Sequence, residues 1–311
     1  MSKRIAAILC VSASAMLAPR AHTLGLDMSS LWPNDDGRSW TYQQHWEEVF
    51  PNPSSGDNVV RLLFDGATVA PNGIDAQLLR GEVVSGATST SASTADGLGP
   101  LLGNLWRARP DLRPALQRRV IEGTAGSPSC PTDAPLGLHA VLLTGDFAFR
   151  KTADEIAAWR CNLADTRSWL WLVSDLTLGN TFTLQLIPDI ASDVYLHGTI
   201  AAIEDVTVPR GSFSACLRVD YVVDYGTAVC TDSSGIETGT ARAETRGYVH
   251  YAPGVGPVQS FEEFIPYAAV TGTCGPPEDV GRVSSRASMQ LFSGPVPVVP
   301  TTWGRIKAAY R

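Results

Sequence analysis

The chain has 311 residues, with 24 Lys and Arg against 31 Asp and Glu, and its formal net charge is -7. Apolar residues make up 44% and charged residues 18%, a composition typical of a globular protein and not of a disordered or collagen-like one. The acidic balance argues against a nucleic-acid binder, because such a protein needs a basic surface to neutralise phosphates.

Residues 1–21 have the pattern of a secretory signal peptide. Lys3 and Arg4 precede an apolar run, residues 5–18, that is shorter than the roughly 20 apolar residues a bilayer requires. Small residues between Ala15 and Ala21 offer several cleavage sites, and a buried N-terminal helix is the alternative interpretation. No later segment predicts a transmembrane span, so we expect an extracytoplasmic protein, either periplasmic or secreted.

Residues 22–275 are predicted to form a mainly β domain, one curved antiparallel sheet of half-barrel-like shape. Clusters of Gly, Pro, Ser and Asp separate short runs rich in Val, Ile, Thr and aromatic residues, which is the pattern of a β protein. The predicted strands are 39–49, 59–64, 76–84, 138–143, 167–173, 182–187, 194–208, 213–225, 238–251 and 256–265, with a further short one at 283–292.

Aromatic residues form rows on two of these strands. Trp40, Tyr42 and Trp46 share one face of the first strand. Trp169 and Trp171 share a face of the strand at 167–173, whose other face is also apolar, so this strand is predicted to be interior. Such rows either line a pocket for an apolar ligand or belong to the plain core.

A small helical insert is predicted near residues 98–162. Asp111 can cap a helix in which Leu112, Leu116 and Val120 share a face. Residues 152–155 have the spacing of a capping box, and Ile156 and Trp159 follow at helical spacing.

The strand at residues 213–225 has the clearest pattern of the chain. Apolar side chains alternate from Phe213 to Tyr225, while Cys216, Arg218 and Asp220 fall on the opposite face, as in a half-buried antiparallel strand. A Pro-Arg-Gly turn before it and a Pro-Gly turn at residues 253–254 predict two hairpins.

Residues 276–311 are predicted to be a Pro-rich connector followed by a C-terminal tail. In a helical tail, Trp303, Ile306 and Tyr310 share one face. This face packs either on the chain's own sheet or on a partner protein of the envelope.

Cleavage after Ala21 leaves five cysteines, an odd number, so at least one stays free or pairs with another chain. Export permits oxidation, and we expect two disulfides, Cys130 with Cys161 and Cys230 with Cys274. The cysteine and histidine spacings do not match a zinc site, so no metal is expected.

Motifs for catalysis are missing from the sequence. It has no G-x-S-x-G, no H-E-x-x-H and no glycine-rich phosphate loop, so we predict no catalytic residue and no cofactor. Residues 34–37 favour a tight turn over a calcium loop. Glu262 and Glu263 are adjacent on a strand, so they point to opposite faces and cannot form an acid/base pair.

Three motifs together resemble a family of secreted bacterial proteins of unknown function. They are Leu31-Trp32-Pro33 with Gly37-Arg38-Ser39-Trp40-Thr41-Tyr42, then Val208-Pro209-Arg210-Gly211-Ser212-Phe213, and Tyr251-Ala252-Pro253-Gly254-Val255-Gly256. The resemblance implies a fold similar to the curved antiparallel half-barrels of periplasmic lipoprotein carriers, and it implies an extracytoplasmic location. It supplies no catalytic residue, and Arg210 stands where the family has Ala.

Three functional hypotheses follow from the sequence. The first is an exported, non-catalytic β protein that binds an apolar small molecule or a partner segment through Trp40, Tyr42, Trp46, Trp169 and Trp171. The second is a structural or surface-assembly protein, favoured by the connector, the tail and the odd cysteine. The third is an envelope hydrolase whose carboxylates are brought together only by folding.

Overall fold

A computed structural model describes part of the chain, and within that part the protein is almost entirely β. The described residues are 26, 28–49, 53–70, 73–86, 108–112, 147–152, 156–160, 169–186, 192–232, 234–268 and 281–294. Predictions that lie outside them concern the signal peptide, the strand at 138–143, Cys130, Cys161, Cys274 and the tail residues Trp303, Ile306 and Tyr310.

The described residues form a single antiparallel sheet, one short helix, α1 (Met28–Leu31), and a 3-10 turn at Pro110–Leu112. The strands are β1 (Ser39–Glu48), β2 (Ser54–Val69), β3 (Asp75–Gly86), β4 (Phe147–Lys151), β5 (Ile156–Arg160), β6 (Trp169–Leu172), β7 (Thr181–Gln185), β8 (Tyr195–Val208), β9 (Gly211–Thr231), β10 (Glu237–Ala252), β11 (Gly256–Ala268) and β12 (Ser285–Ser293). No helix in the described part is long and apolar enough to cross a membrane.

The sheet consists of two meanders that meet at its centre. The strand order is β6-β5-β4-β3-β2-β1-β12-β11-β10-β9-β8-β7, so every neighbouring pair is consecutive in sequence except β1 and β12. Among the described residues, β6 and β7 are the two edges of an open sheet.

The sheet curls around Trp32, which follows α1. The Trp32 ring lies 5.7 Å from the ring of Phe149 on β4 and 5.7 Å from the ring of Tyr251 on β10, measured between centroids. These two strands are six places apart in the sheet, which in a flat sheet would separate them by about 29 Å. The prediction of one curved antiparallel sheet is therefore confirmed for the described part of the chain.

Both predicted hairpins are confirmed. β8 pairs with β9 through the turn at residues 209–210, and β10 pairs with β11 through the turn at residues 253–255. In the second turn the amide of Val255 donates a 3.0 Å hydrogen bond to the Ala252 carbonyl oxygen, and Gly254 has a φ of 73°. A positive φ at this position favours Gly, which is why Pro-Gly predicts the turn.

One detail of the predicted alternation in β9 is wrong. Cys216 was expected on the polar face, but its side chain is fully buried, as is that of Leu217 beside it. The β8–β9 register shifts between Glu204 and Val206, and Ala215 has a φ of 55°. A bulge of this kind breaks the two-residue period, so both neighbours reach the interior.

The predicted helix after residue 152 is also wrong, because residues 156–160 form β5 between β4 and β6. Ile156 is fully buried there. A capping box stabilises a helix by only about 1 kcal/mol, which sheet pairing on both sides outweighs. The rest of the helical insert, apart from residues 108–112 and 147–152, lies outside the described residues.

The strand containing Trp169 and Trp171, β6, was expected in the interior of the sheet. It lies instead at an edge, with β5 as its neighbour in the described part of the chain. The expectation fails because apolar residues on both faces of a strand indicate only that other parts of the protein pack on those two faces. They do not indicate whether the strand has hydrogen-bonded neighbours on both sides.

Candidate functional site on the inner face

Cross-strand register aligns side chains of the inner, buried face in rows that run across the sheet. In the central row, small and large residues alternate between β2 and β8. That row consists of Gly56, Trp46, Ala287, Glu262, Gly247, Tyr221 and Gly198.

Each large ring of this row lies over a glycine. A Cβ on Gly56 would stand 2.7 Å from the Trp46 indole, and a Cβ on Gly247 would stand 2.6 Å from the Tyr221 hydroxyl oxygen. Trp46 therefore leans towards β2 while Tyr221 leans towards β11. Ala287 separates Trp46 from Glu262 in the row.

Glu262 is a carboxylic acid in the interior. Only 4% of the residue is exposed, and the Tyr221 hydroxyl donates a 3.1 Å hydrogen bond to its Oε2 atom. Burial raises the pKa of Glu262 to about 8, so the group is mostly uncharged at pH 7. Glu263 lies on the outer face, where it accepts a 2.8 Å hydrogen bond from Arg286, so the predicted opposite orientation of the two glutamates is confirmed.

Three neighbouring side chains on β1 and β2 have polar atoms without a hydrogen-bond partner. We call Gln44, Trp46 and Asn58 the inner polar patch; their exposed fractions are 3%, 8% and 8%. Asn58 donates a 3.0 Å hydrogen bond from Nδ2 to Gln44 Oε1. The atoms left without a partner are Gln44 Nε2, Asn58 Oδ1 and Trp46 Nε1.

Register and alternation bring the patch together. Gln44 pairs directly with Asn58 across β1 and β2, and Trp46 is two residues further along the same face of β1. Burying a polar atom without a partner costs about 1–3 kcal/mol, so a folded chain seldom retains three side by side. The patch is therefore the strongest candidate for a ligand site among the described residues.

The other two aromatic residues of β1 have a structural role. Trp40 donates a hydrogen bond of 2.5 Å from its indole nitrogen to the Val255 carbonyl oxygen, and the Tyr42 hydroxyl donates one of 2.9 Å to the Pro257 carbonyl oxygen. Burial raises the pKa of the Tyr42 hydroxyl, which stays protonated. Of the predicted row, Trp46 alone has an indole nitrogen without a partner.

The remaining predicted site residues are not brought to the patch. Trp169 and Trp171 lie on β6, five strands from β1 in the sheet order, and only their backbone is described. Cys230 is fully buried on β9, and both disulfide pairings stay predictions because each includes a cysteine outside the described residues. In the described part of the chain, no three His, Cys, Asp or Glu residues are grouped as a metal site would require.

Sequence reasoning missed Gln44, Asn58 and the burial of Glu262. A signal for Gln44 exists, since it occupies the same strand face as Tyr42 and Trp46 and so interrupts an aromatic row with an amide. Asn58 and Glu262 carry no comparable signal, because their proximity to β1 depends on strand pairings that the sequence does not reveal.

No protein-family model matches the sequence, and no curated protein matches it. Three solved structures are similar in part. A protein described as exported, with a YmcC-like fold, from Bacteroides fragilis is 13% identical over 85% of this chain and 98% of its own, with a TM-score of 0.34. A lipoprotein from Parabacteroides distasonis is 12% identical over 84% and 97%, with a TM-score of 0.32.

The third is a LolA superfamily protein from Nitrosomonas europaea, which is 8% identical over 88% of this chain and 92% of its own, with a TM-score of 0.17. Scores this low do not establish a shared fold. The family resemblance of the three sequence motifs therefore stays a prediction, and function has to be inferred from this chain's own residues.

Proposed function

We propose that this chain is an exported, non-catalytic protein that binds an apolar ligand or partner segment on the inner face of its curved sheet. The observation that carries the proposal is the inner polar patch, three buried side chains with polar atoms that lack partners on a mainly apolar face. A bound molecule would supply the missing hydrogen bonds in an environment of apolar side chains.

The neighbourhood of the patch supports this proposal. Met289 and Ala287 of β12 lie beside Gln44 and Trp46, and Ser260 of β11 follows beyond Met289. Such a surface, mainly apolar with a few placed polar groups, is typical of small-molecule sites. The N-terminal segment supports the export part of the proposal through its sequence pattern.

Native mass spectrometry of the protein purified from its own envelope tests ligand binding. We expect a population heavier than the bare chain that loses its extra mass after denaturation and extraction. Edman sequencing of the same sample tests export, with the first residue expected between residues 16 and 22. A bare mass, together with no binding of a fluorescent apolar probe such as N-phenyl-1-naphthylamine, contradicts the binding proposal.

A pair of matched variants places the site. Ala287→Leu enlarges a side chain on the inner face, between Trp46 and Glu262 in the central row. Ser288→Leu enlarges the adjacent side chain of β12, which lies on the opposite face of the sheet. We expect the first variant to weaken probe binding by about tenfold or more and the second to leave it unchanged. Equal binding by both variants, at unchanged melting temperature, contradicts a site on the inner face.

A further inference from the structure

The inner polar patch has a defined hydrogen-bonding inventory. Asn58 and Gln44 form one hydrogen bond with each other. The atoms still without a partner are one amide nitrogen, one amide oxygen and the indole nitrogen of Trp46. Exchanging the oxygen and nitrogen of both amides would reverse that bond and again leave one nitrogen donor and one oxygen acceptor. The inventory of two donor groups and one acceptor is therefore independent of the amide orientations.

The charge of the surroundings disfavours an anionic ligand group. Among the described residues the buried basic side chains are Arg109 and His250, and carboxylates engage both. The Arg109 guanidinium bonds to Asp111 and Asp193, with Nη1–Oδ1 and Nη1–Oδ2 distances of 2.9 Å to the latter. His250 Nε2 lies 2.6 Å from Glu204 Oε1. At the patch itself, the acceptor left without a partner is Asn58 Oδ1. A buried carboxylate or phosphate would meet this oxygen atom without a compensating cation.

A cationic group is disfavoured for a different reason. An ammonium has donors only, so it could bond to Asn58 Oδ1 but would leave Gln44 Nε2 and Trp46 Nε1 unsatisfied and would itself be buried without a counter-charge. The oxygen of an uncharged amide or hydroxyl accepts two hydrogen bonds, and the O–H of the hydroxyl or one N–H of the amide donates one. That is the complement of the patch.

From this complementarity, and resting on the proposed function, we infer that the inner polar patch binds an uncharged amide or hydroxyl group at the end of an apolar chain. The oxygen of that group accepts hydrogen bonds from Gln44 Nε2 and Trp46 Nε1, and its N–H or O–H donates a hydrogen bond to Asn58 Oδ1. The apolar chain then lies over Ala287 and Met289, the apolar neighbours of the patch on β12.

A set of C10 probes tests this inference by calorimetry on the purified mature protein: decanamide, 1-decanol, decanoate and decylammonium, with N-phenyl-1-naphthylamine as a probe that lacks a matching polar group. We expect decanamide or 1-decanol to bind at least about tenfold more tightly than decanoate and decylammonium. Comparing decanamide with 1-decanol shows which of the two uncharged groups the patch prefers.

Variants locate the effect at the patch. The double variant Gln44→Met with Asn58→Leu removes the two amides and keeps their approximate volumes, so it should fold at least as stably as the natural chain. We expect it to lose the preference for the uncharged polar probes while still binding N-phenyl-1-naphthylamine. Gln43→Met is the matched control, since Gln43 is the exposed neighbour on the opposite face of β1. Trp46→Phe should produce a smaller loss, because it removes one donor and keeps a ring.

The outcomes separate the inference from the proposed function. If the apolar probe binds but the C10 series shows no preference, or if decanoate binds most tightly, the patch does not recognise an uncharged polar group although the protein still binds apolar ligands. If the preference survives in the double variant, it arises elsewhere and the inference is wrong. If no probe binds at all, the proposed function fails along with it.

Discussion

The indole N–H of Trp40, on β1, donates a hydrogen bond to the carbonyl oxygen of Val255, in the turn that joins β10 to β11. Both residues are fully buried. In the sheet, β12 lies between β1, which contains Trp40, and β11, which follows the turn containing Val255. The bond therefore links the two meanders on the inner side of the sheet. It helps to hold the curl on which the position of the inner polar patch depends.

Replacing Trp40 by Phe should destabilise the protein. The ring is largely retained, but the buried Val255 carbonyl oxygen loses its donor, which costs about 1–3 kcal/mol in the free energy of unfolding. Urea denaturation measures the change, and Gln43→Ala on the exposed face of the same strand should stay within about 0.5 kcal/mol of the natural chain. Equal midpoints for the two variants would show that this bond does not contribute.

The pKa of Glu262 makes the stability depend on pH. A glutamate in the unfolded chain titrates near about 4.3, whereas the folded pKa is about 8, so the folded state holds the extra proton between these values. The contribution of Glu262 to stability is therefore fully present below the unfolded pKa and is lost as the pH rises through the folded pKa. The slope approaches about 1.4 kcal/mol per pH unit.

The variant Glu262→Gln should remove that part of the pH dependence, because the amide does not titrate. Glu263→Gln, on the outer face, should leave it in place. The measurement is the free energy of unfolding in urea at several values between about pH 5 and about pH 8. Parallel curves for the natural chain and Glu262→Gln would contradict a buried, protonated Glu262.

Gly56 is required for space and not for backbone conformation. Gly56→Ala should cost about 1–3 kcal/mol, because the added Cβ would stand 2.7 Å from the Trp46 indole. In the background Trp46→Leu the same substitution should cost much less, and thermal unfolding of the four proteins gives this coupling directly. Additive effects of the two substitutions would mean that Trp46 does not rest on Gly56.

Cysteine chemistry gives a further prediction. Burial raises the pKa of the Cys216 thiol to about 11, so it should resist alkylation in the folded protein and react only after denaturation. Peptide mapping of the unreduced, exported protein should recover Cys130 linked to Cys161 and Cys230 linked to Cys274. Rapid labelling of Cys216 in the native state, or the recovery of all five cysteines as thiols, would contradict these expectations.

Local patterns predicted the strands well where the chain alternates between a buried and an exposed face. The strand at 213–225 and the turn at Pro253-Gly254 are recovered because two-residue periodicity and positive φ are properties of a few adjacent residues. The segment at 156–160 was misassigned since its helical spacing is equally compatible with a short strand. Its neighbours β4 and β6 decide between the two states.

The candidate site was predictable only in part. Trp46 was found from the aromatic row, and Glu262 was correctly placed opposite Glu263 from the strand period alone. What the sequence does not reveal is that β12 lies between β1 and β11 and so brings Glu262 near Trp46. That proximity depends on pairing between distant segments, for which neither hydropathy nor spacing provides a signal.

The central pairing of β1 with β12 has a consequence for biogenesis. Thr41 pairs with Ser293, so β1 has one side of its backbone unpaired until almost the whole described chain has been synthesised. An exposed strand edge rich in aromatic residues is prone to aggregate, and contacts between such distant segments form slowly. We expect the nascent polypeptide to depend on a holding chaperone and to reach its native state only after the last strand has been released.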